Sequence, residues 1–292
     1  MDNWIEAGKI ASKARNYGYD LLIEGAKLID ILEKVENYIL ENNGKPAFPP
    51  QISLNNIAAH YCSPIEDDTI LKKGDIAKLD LGVHIEGAIA DTAITREIST
   101  NTNKKLIQAS EEALQEAIKL VKPGVELREI GKKINKIITS YGFNPIRNLS
   151  GHGIDRYEVH SGLTIPNYDN GDTTKLKENQ VIALEPFATT GKGMIKEGKP
   201  SRIYRLGEPG PIRDNTSRQI LEYIKQEFKT LPFCERQLLK KFKPFQIRFA
   251  LQRLSNEDII HQYTQLPEES DGIVSQTEHT IIVKEKSIVT TL

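Results

Sequence analysis

The sequence lacks the features that mark secreted and membrane proteins. It has two cysteines, Cys62 and Cys234, in 292 residues, which excludes a disulfide-rich secreted domain. No apolar run approaches the roughly 20 residues that a membrane span needs. The segment 1–6 also lacks the basic start and apolar stretch of a secretory signal. We therefore expect a cytoplasmic protein without membrane attachment.

The chain also lacks an excess of charge of either sign. Its 39 basic and 40 acidic residues give a formal net charge of −1, which offers no reason to expect a dedicated nucleic-acid or membrane-surface binder. The segment 213–253 differs, because its 10 basic and 4 acidic residues carry a local charge of +6. With 38% hydrophobic and 27% charged residues, the composition is that of a globular protein with length for about two domains.

Two segments of the sequence, 25–46 and 124–145, are similar to each other. In both segments the apolar residues follow helical spacing, and each segment ends in a Gly/Asn cluster before a proline. A second pair of segments, 71–80 and 176–185, ends in Asp80 and Glu185. The order helix, histidine, lysine-led turn, apolar strand and carboxylate therefore recurs, which predicts a duplicated α/β (α+β) fold with pseudo-twofold symmetry. The matched positions are Gly25, Leu28, Ile31, Pro46 and His60 in the first copy and Gly124, Leu127, Ile130, Pro145 and His160 in the second.

The segment 76–94 reads as two apolar strands joined by a turn around residues 85–87. With a two-residue loop at 85–86, Asp80 would lie directly opposite Asp91, and their Cβ atoms would be about 5 Å apart. Two carboxylates that close within apolar strands are destabilising unless a positive charge lies between them. We therefore expect a divalent cation at this pair.

Three more polar residues lie in apolar or glycine-rich surroundings, namely His152, Glu185 and Glu278. Four carboxylates with one imidazole are too oxygen-rich for a structural zinc site and suit manganese, iron(II) or cobalt. With two shared carboxylates the set would hold two metals, an arrangement that polarises a carbonyl or phosphoryl group for hydrolysis. One such acid alone is more often part of a salt bridge or cap, but the five together favour a metal site.

Three further residues are given no role in this site. His84 lies at the predicted hairpin tip, and strand alternation points His279 away from Glu278. Cys62 is expected to be a small buried hydrophobic residue.

The sequence resembles the methionine aminopeptidases over nearly its whole length. The resemblance implies the duplicated "pita-bread" fold, an antiparallel sheet with flanking helices, and hydrolytic removal of the initiator methionine from nascent polypeptides. It rests on the segment 48–61 with His60, the pair Asp80 and Asp91, the run 151–153 with His160 beyond it, Glu185, and the segment 276–280 around Glu278.

The resemblance also implies a role for each matched residue. Two divalent ions are expected, with Co²⁺, Mn²⁺, Fe²⁺ and Zn²⁺ as candidates. His160 would hydrogen-bond the developing oxyanion or the scissile amide, Glu185 would also move a proton to the leaving amine, and His60 would close one side of the substrate site. The expected ligands are Asp80, Asp91, His152, Glu185 and Glu278, of which Asp91 and Glu278 would bridge the ions, and the expected walls of the methionine pocket are Phe48, Val159 and Phe187.

An insertion late in the chain resembles that of the type II, archaeal-like enzymes. Helical patterns cover 216–229, 235–242 and 245–254. We expect a catalytic domain at 1–198 and 268–292, with 199–267 as a small helical, winged-helix-like insertion. A monomer is expected, as related enzymes usually are.

Two other functions fit parts of the sequence. A non-catalytic member of the fold could use the basic insertion to bind nucleic acid or the ribosome, but such a relative is expected to have lost metal ligands, and all five positions are present here. A proline-specific aminopeptidase or dipeptidase shares the five ligands. Those enzymes carry a substantial N-terminal domain, whereas the repeated unit here begins within the first few dozen residues.

Overall fold

The computed structural model describes residues 1–292 and contains seven helices and sixteen strands. None of the helices combines the length and hydropathy that a membrane crossing requires. The helices are α1 (Asp2–Leu21), α2 (Leu28–Glu41), α3 (Lys104–Ile118), α4 (Leu127–Ser140), α5 (Asn215–Glu227), α6 (Glu235–Leu238) and α7 (Pro244–Asn256). The strands are β1 (Lys45–Leu54), β2 (Ile57–Ala59), β3 (Ile76–Ile85), β4 (Ala88–Glu97), β5 (Asn144–Pro145), β6 (Ser150–Ile154), β7 (Thr164–Pro166), β8 (Val181–Leu184), β9 (Phe187–Thr189), β10 (Pro200–Leu206), β11 (Phe233–Cys234), β12 (Ile260–Thr264), β13 (Leu266–Pro267), β14 (Val274–Gln276), β15 (His279–Ile282) and β16 (Ile288–Val289).

Each half of the larger domain packs two helices on one face of an antiparallel sheet. In the first half α1 and α2 cover the sheet β1-β3-β4, and in the second half α3 and α4 lie beside the sheet β16-β15-β8-β6-β7. Each half has its own hydrophobic core, of 18 and 17 buried residues. The helices form because their apolar residues recur every three or four positions, as in the buried stripe Leu28, Ile31, Leu32, Val35 and Ile39 of α2.

The structure confirms the predicted duplication down to single hydrogen bonds. Helices α2 and α4 have the same length and begin and end at matched positions. Gly25 and Gly124 precede them with φ of 84° and 87°, a conformation that glycine adopts without strain. Their amides donate to the carbonyl oxygens of Leu71 and Leu176, each at 2.8 Å. Both copies of the repeat therefore enter their helices through the same turn.

The hairpin of β3 and β4 forms, but its predicted register was wrong. The loop is 86–87, and both residues have positive φ, 49° and 85°, as a type I′ turn requires. Asp80 therefore pairs with Ala93, and Asp91 pairs with Gly82. The two aspartates share one face of the hairpin as diagonal neighbours and are not directly opposed.

The insertion is a mixed unit and not purely helical. Strands β10, β11 and β12 form an antiparallel sheet, and α5 and α7 pack beside it around a separate core of 14 residues. Helix α6 ends at Leu238, before the predicted end at 242, and Pro244 begins the next helix because the residue before a proline disfavours the helical conformation. Strand β13 then pairs with β2, which returns the chain to the larger domain.

Candidate metal centre

The two halves of the fold meet at a cluster of acidic and imidazole side chains. Ala93 of β4 bridges to Glu278, whose amide donates to the Ala93 carbonyl at 3.1 Å, so a strand of the first half lies against the edge of the second. The cluster contains Asp80 on β3, Asp91 on β4, His152 on β6, Glu185 directly after β8 and Glu278 directly before β15.

Three side chains of this cluster lie close enough to hold one metal ion, and a fourth lies beside them. One ligand atom each from Asp91, His152 and Glu278 lies within 4.8 Å of the others. The His152 Nε2 atom is 3.7 Å from Asp91 Oδ2 and 3.6 Å from Glu185 Oε1. The structure therefore brings together the predicted ligands from sequence positions far apart.

Burial and mutual repulsion disfavour the charged forms of the carboxyl groups. Burial raises the pKa of Asp80 to about 7. Burial and then the charge of Asp80 raise the pKa of Asp91 well above its usual range. The pKa values of Glu185 and Glu278 are raised in the same way, and no lysine or arginine contributes to any of the four. A bound cation would remove this repulsion.

The surroundings of His152 keep its imidazole neutral. Burial, followed by the nearby His160, lowers its pKa to about 3. The ring Nδ1 lies 3.2 Å from the Gly153 carbonyl oxygen. A hydrogen bond there places the proton on Nδ1 and leaves the Nε2 lone pair pointing at the carboxylates, which is the usual arrangement of a metal-binding imidazole.

Several buried oxygens of the cluster have no hydrogen-bond partner, namely Asp80 Oδ1, Asp91 Oδ1 and Glu278 Oε1. Buried carboxylate oxygens without donors are unfavourable, and cations are the usual solution. Four carboxylates with one imidazole match the ligand preference of manganese, iron(II) or cobalt. The residues present therefore fit divalent metal ions.

The cluster opens into a cavity of about 470 Å³. All ten residues predicted from the sequence line it. Apart from the five candidate ligands, these are the apolar residues Phe48, Val159 and Phe187 and the two histidines His60 and His160.

The two histidines of the cavity have different ring neighbours. His60 follows β2 with φ of 69°, and its Nδ1 lies 3.1 Å from the Thr264 carbonyl oxygen. Burial lowers its pKa to about 4. His160 lines the cavity, and its ring centroid is 4.4 Å from that of His152. Desolvation by the surrounding residues lowers its pKa. Both imidazoles are therefore neutral at pH 7.

The cavity also contains residues that sequence reasoning missed. Ile203, Pro232 and Tyr263 reach it from the insertion, and the Tyr263 ring lies 5.5 Å from that of His60. No local sequence signal marks them, because only the packing of the insertion brings them there. Gln51 was missed because its direction depends on an irregularity of β1.

The residues that were given no role lie elsewhere. His84 accepts a hydrogen bond from the Gly87 amide at 3.2 Å, and His279 Nδ1 lies 2.8 Å from Thr291 Oγ1. Cys62 is 3% exposed and packs in a small hydrophobic cluster, as expected.

Comparison with known proteins places the chain in a family. Residues 2–285 match metallopeptidase family M24. The chain is 46% identical over 292 residues to a methionine aminopeptidase of Pyrococcus horikoshii, covering 100% of this chain and 99% of that protein. Its fold is similar to the structure of a thermophilic Arx1, with a TM-score of 0.85, 18% identity and coverage of 99% and 90%. It is also similar to a methionine aminopeptidase of Thermotoga maritima, with a TM-score of 0.71, 21% identity and coverage of 99% and 95%. The chain therefore belongs to metallopeptidase family M24.

Proposed function

We propose that this protein is a methionyl aminopeptidase that removes the N-terminal methionine from nascent polypeptides by metal-dependent hydrolysis of the first peptide bond. The observation that carries the proposal is the buried carboxylate and imidazole cluster at the floor of a partly apolar cavity. The identity to a methionine aminopeptidase over the whole chain supports the choice of substrate.

The proposed ligands would hold two divalent ions, which would supply polarisation of a carbonyl group and a more acidic water molecule. We propose Co²⁺, Mn²⁺, Fe²⁺ or Zn²⁺. The residues that would hold them are Asp80, Asp91, His152, Glu185 and Glu278, and the resemblance to the methionine aminopeptidases implies that Asp91 and Glu278 would be shared between the ions.

The apolar part of the cavity fits an unbranched side chain. Phe48, Val159 and Phe187 are 6%, 7% and 1% exposed and form its walls. His60 closes one side, edge-on to Tyr263. A thioether side chain transferred from water into this pocket gains free energy from the burial of its methylene groups.

Two residues act directly on the reacting peptide bond in this proposal. His160 keeps an N–H while neutral, and from the cavity side of His152 it donates to the developing oxyanion or the scissile amide. Glu185, which lies 3.6 Å from His152 Nε2 and lines the cavity, would accept a proton and pass it to the leaving amine.

The proposed setting is the cytoplasm, with the ribosome as a partner and the enzyme as a monomer. Helix α7 exposes Phe245 and Phe249, 69% and 53% accessible, on either side of Arg248. This helix belongs to the segment 213–253, whose local charge is +6. A basic surface with exposed aromatic rings suits contact with a polyanion such as ribosomal RNA.

The test compares peptides that separate the related activities. We expect the protein supplemented with Co²⁺ or Mn²⁺ to cleave Met-Ala-Ser in preference to Ala-Pro and Met-Pro. His152→Ala should abolish turnover and reduce bound metal, measured by atomic emission, because it removes the imidazole ligand. His261→Ala is the matched control, since that histidine lies in β12 outside the cavity lining.

Other results would contradict the proposal. Cleavage of Ala-Pro or Met-Pro in preference to Met-Ala-Ser would indicate a proline-specific enzyme. Full activity of His152→Ala would refute the site, and failure to bind metal together with copurifying nucleic acid would indicate a non-catalytic binder.

A further inference from the structure

One buried polar side chain in the cavity is not part of the proposed ligand set. Gln51 on β1 is 5% exposed and lines the cavity together with the carboxylates. Its Oε1 atom has no hydrogen-bond partner in the protein. Buried carboxamides nearly always have partners, so an unpaired one facing a cavity indicates a ligand that completes it.

The direction of Gln51 depends on a local irregularity of β1. Residues three apart on a regular strand point to opposite faces, so Phe48 and Gln51 would not line one cavity. The register shifts between them, because Phe48 pairs with Gly82 whereas Gln51 pairs with Asp80. This β-bulge turns the Gln51 side chain to the cavity face.

Gln51 lies beside Asp80 but does not hold it. The two residues are direct cross-strand partners, which places their Cβ atoms about 5 Å apart. The hydrogen bond to Asp80 comes from another glutamine, because Gln276 Nε2 lies 3.5 Å from Asp80 Oδ2. The Gln51 carboxamide therefore remains available to a ligand at the Asp80 side of the cavity.

We infer that Gln51 binds the free α-amino group of the substrate through its Oε1 atom, an inference that rests on the proposed function. An unpaired carbonyl oxygen needs a donor, and a first residue methionine brings one only in its α-amino group, because its thioether has no N–H or O–H. The terminal torsion of a glutamine is broad, so the carboxamide turns its oxygen to the ligand at little cost. Gln51 thereby helps to select chains with a free N-terminus.

The experiment measures whether Gln51 recognises the amine. L-methionine and its desamino analogue, 4-(methylthio)butanoate, are titrated calorimetrically into the manganese-loaded wild-type protein and into Gln51→Met. This substitution keeps the unbranched length and removes the acceptor. We expect the affinity for L-methionine to fall about fivefold to tenfold, as for loss of one hydrogen bond. The affinity for the desamino analogue should stay within about twofold, because that ligand never made the bond.

Two matched variants separate binding from positioning. Gln276→Met removes the hydrogen bond to Asp80 and should lower the bound metal measured by atomic emission. Gln219→Met, on the exposed face of α5, should change nothing. Gln51→Leu repeats the measurement with a different apolar shape, and circular dichroism checks that each variant is folded.

Each alternative has its own signature. Equal weakening of both ligands in the two Gln51 variants would show that Gln51 only shapes the pocket, and loss of metal would show that it positions Asp80. A change in the preference for methionine over norleucine, with the amine dependence intact, would show that it contacts sulfur. No cleavage of Met-Ala-Ser by the wild-type protein would count against the proposed function, whereas cleavage with unchanged amine dependence in Gln51→Met would count against this inference alone.

Discussion

Lys78 is a charged residue in a place where the fold offers no ionic partner. It is 1% exposed on β3, and its Nζ donates to the Asn55 carbonyl oxygen at 3.1 Å. Burial lowers its pKa from 10.5 to about 7, partly offset by the charge of Asp75. This lysine ties β3 to the turn between β1 and β2 at the expense of stability at neutral pH.

The stability contribution of Lys78 should depend on pH. Between pH 7 and 10.5 the unfolded chain holds a proton that the folded chain has released, so folding becomes more favourable as the pH rises through this window. Below pH 7 the amine is charged in both states, so the full cost of burying the charge lowers the stability. We expect Lys78→Met to raise the free energy of unfolding by roughly 1–3 kcal/mol at pH 7, and this increase should become smaller toward pH 10.

Urea unfolding of wild type and variant at pH 6.5, 8 and 9.5 measures this difference. Lys73→Met is the control, since Lys73 is exposed and lies in the turn before β3. Parallel pH profiles for the wild type and Lys78→Met would show that the buried amine does not titrate in this range.

The candidate ligands were predictable from the sequence, whereas several residues that packing brings to the cavity were not. Asp80, Asp91 and His152 stand out because a carboxylate or imidazole among apolar or glycine neighbours is costly without a partner. Gln51 gives no such signal, because its cavity position depends on a bulge between two strands. Tyr263 reaches the cavity only through the folding of the whole insertion.

At the level of elements, the hairpin of β3 and β4 sets the geometry of the candidate metal centre. It carries both aspartates, and its loop fixes which residues face each other. The sequence predicts the two strands from their apolar character, but a choice between loops 85–86 and 86–87 moves every cross-strand pair. The positive φ of Gly87 and Glu86 selects the observed loop.

Gly87 should therefore tolerate no side chain. Its φ is +85°, and an added Cβ would lie 2.3 Å from the Tyr157 ring. That ring cannot move easily, because the Tyr157 amide donates to the Gly87 carbonyl at 2.9 Å and Lys229 Nζ lies 3.8 Å from the ring centroid. We expect Gly87→Ala to lower the free energy of unfolding by roughly 2–4 kcal/mol and to weaken metal binding.

Gly74 provides a matched comparison. Its φ is +88°, yet nothing lies within 4 Å of an added Cβ, so Gly74→Ala tests the backbone strain alone. That change should lower the free energy of unfolding by about 1 kcal/mol. Urea unfolding and a manganese titration measure both variants, and equal losses of stability would mean that contact with Tyr157 is unimportant.

Across the whole molecule, two cores and one insertion converge on a single cavity. The halves have separate cores, and the carboxylates lie where those halves join, through the bridge of Ala93 to Glu278. The duplication was predictable because both copies repeat local signals of turn and helix. The sheet of the insertion and its contact with the cavity were not, because the strands that pair in it are distant in the sequence.

Because the candidate ligands lie where the two halves join, we expect the stability of the fold to depend on metal. One substitution should then act in opposite directions in the metal-free and the metal-loaded protein. Without a cation, Asp80 and its neighbours repel each other, so Asp80→Asn should raise the melting temperature in excess chelator. With saturating Mn²⁺ the same variant should melt below the wild type, because a ligand that binds only the folded state stabilises it by an amount that rises with the logarithm of its affinity.

Scanning calorimetry with chelator and with increasing Mn²⁺ measures both effects. Asp20→Asn, on the exposed end of α1, is the control and should shift neither melting temperature. A wild-type melting temperature that is independent of metal would contradict a site built across the junction. A fall for Asp80→Asn in both states would instead assign Asp80 a packing role, because only the loss of a ligand from a repulsive cluster stabilises one state while it destabilises the other.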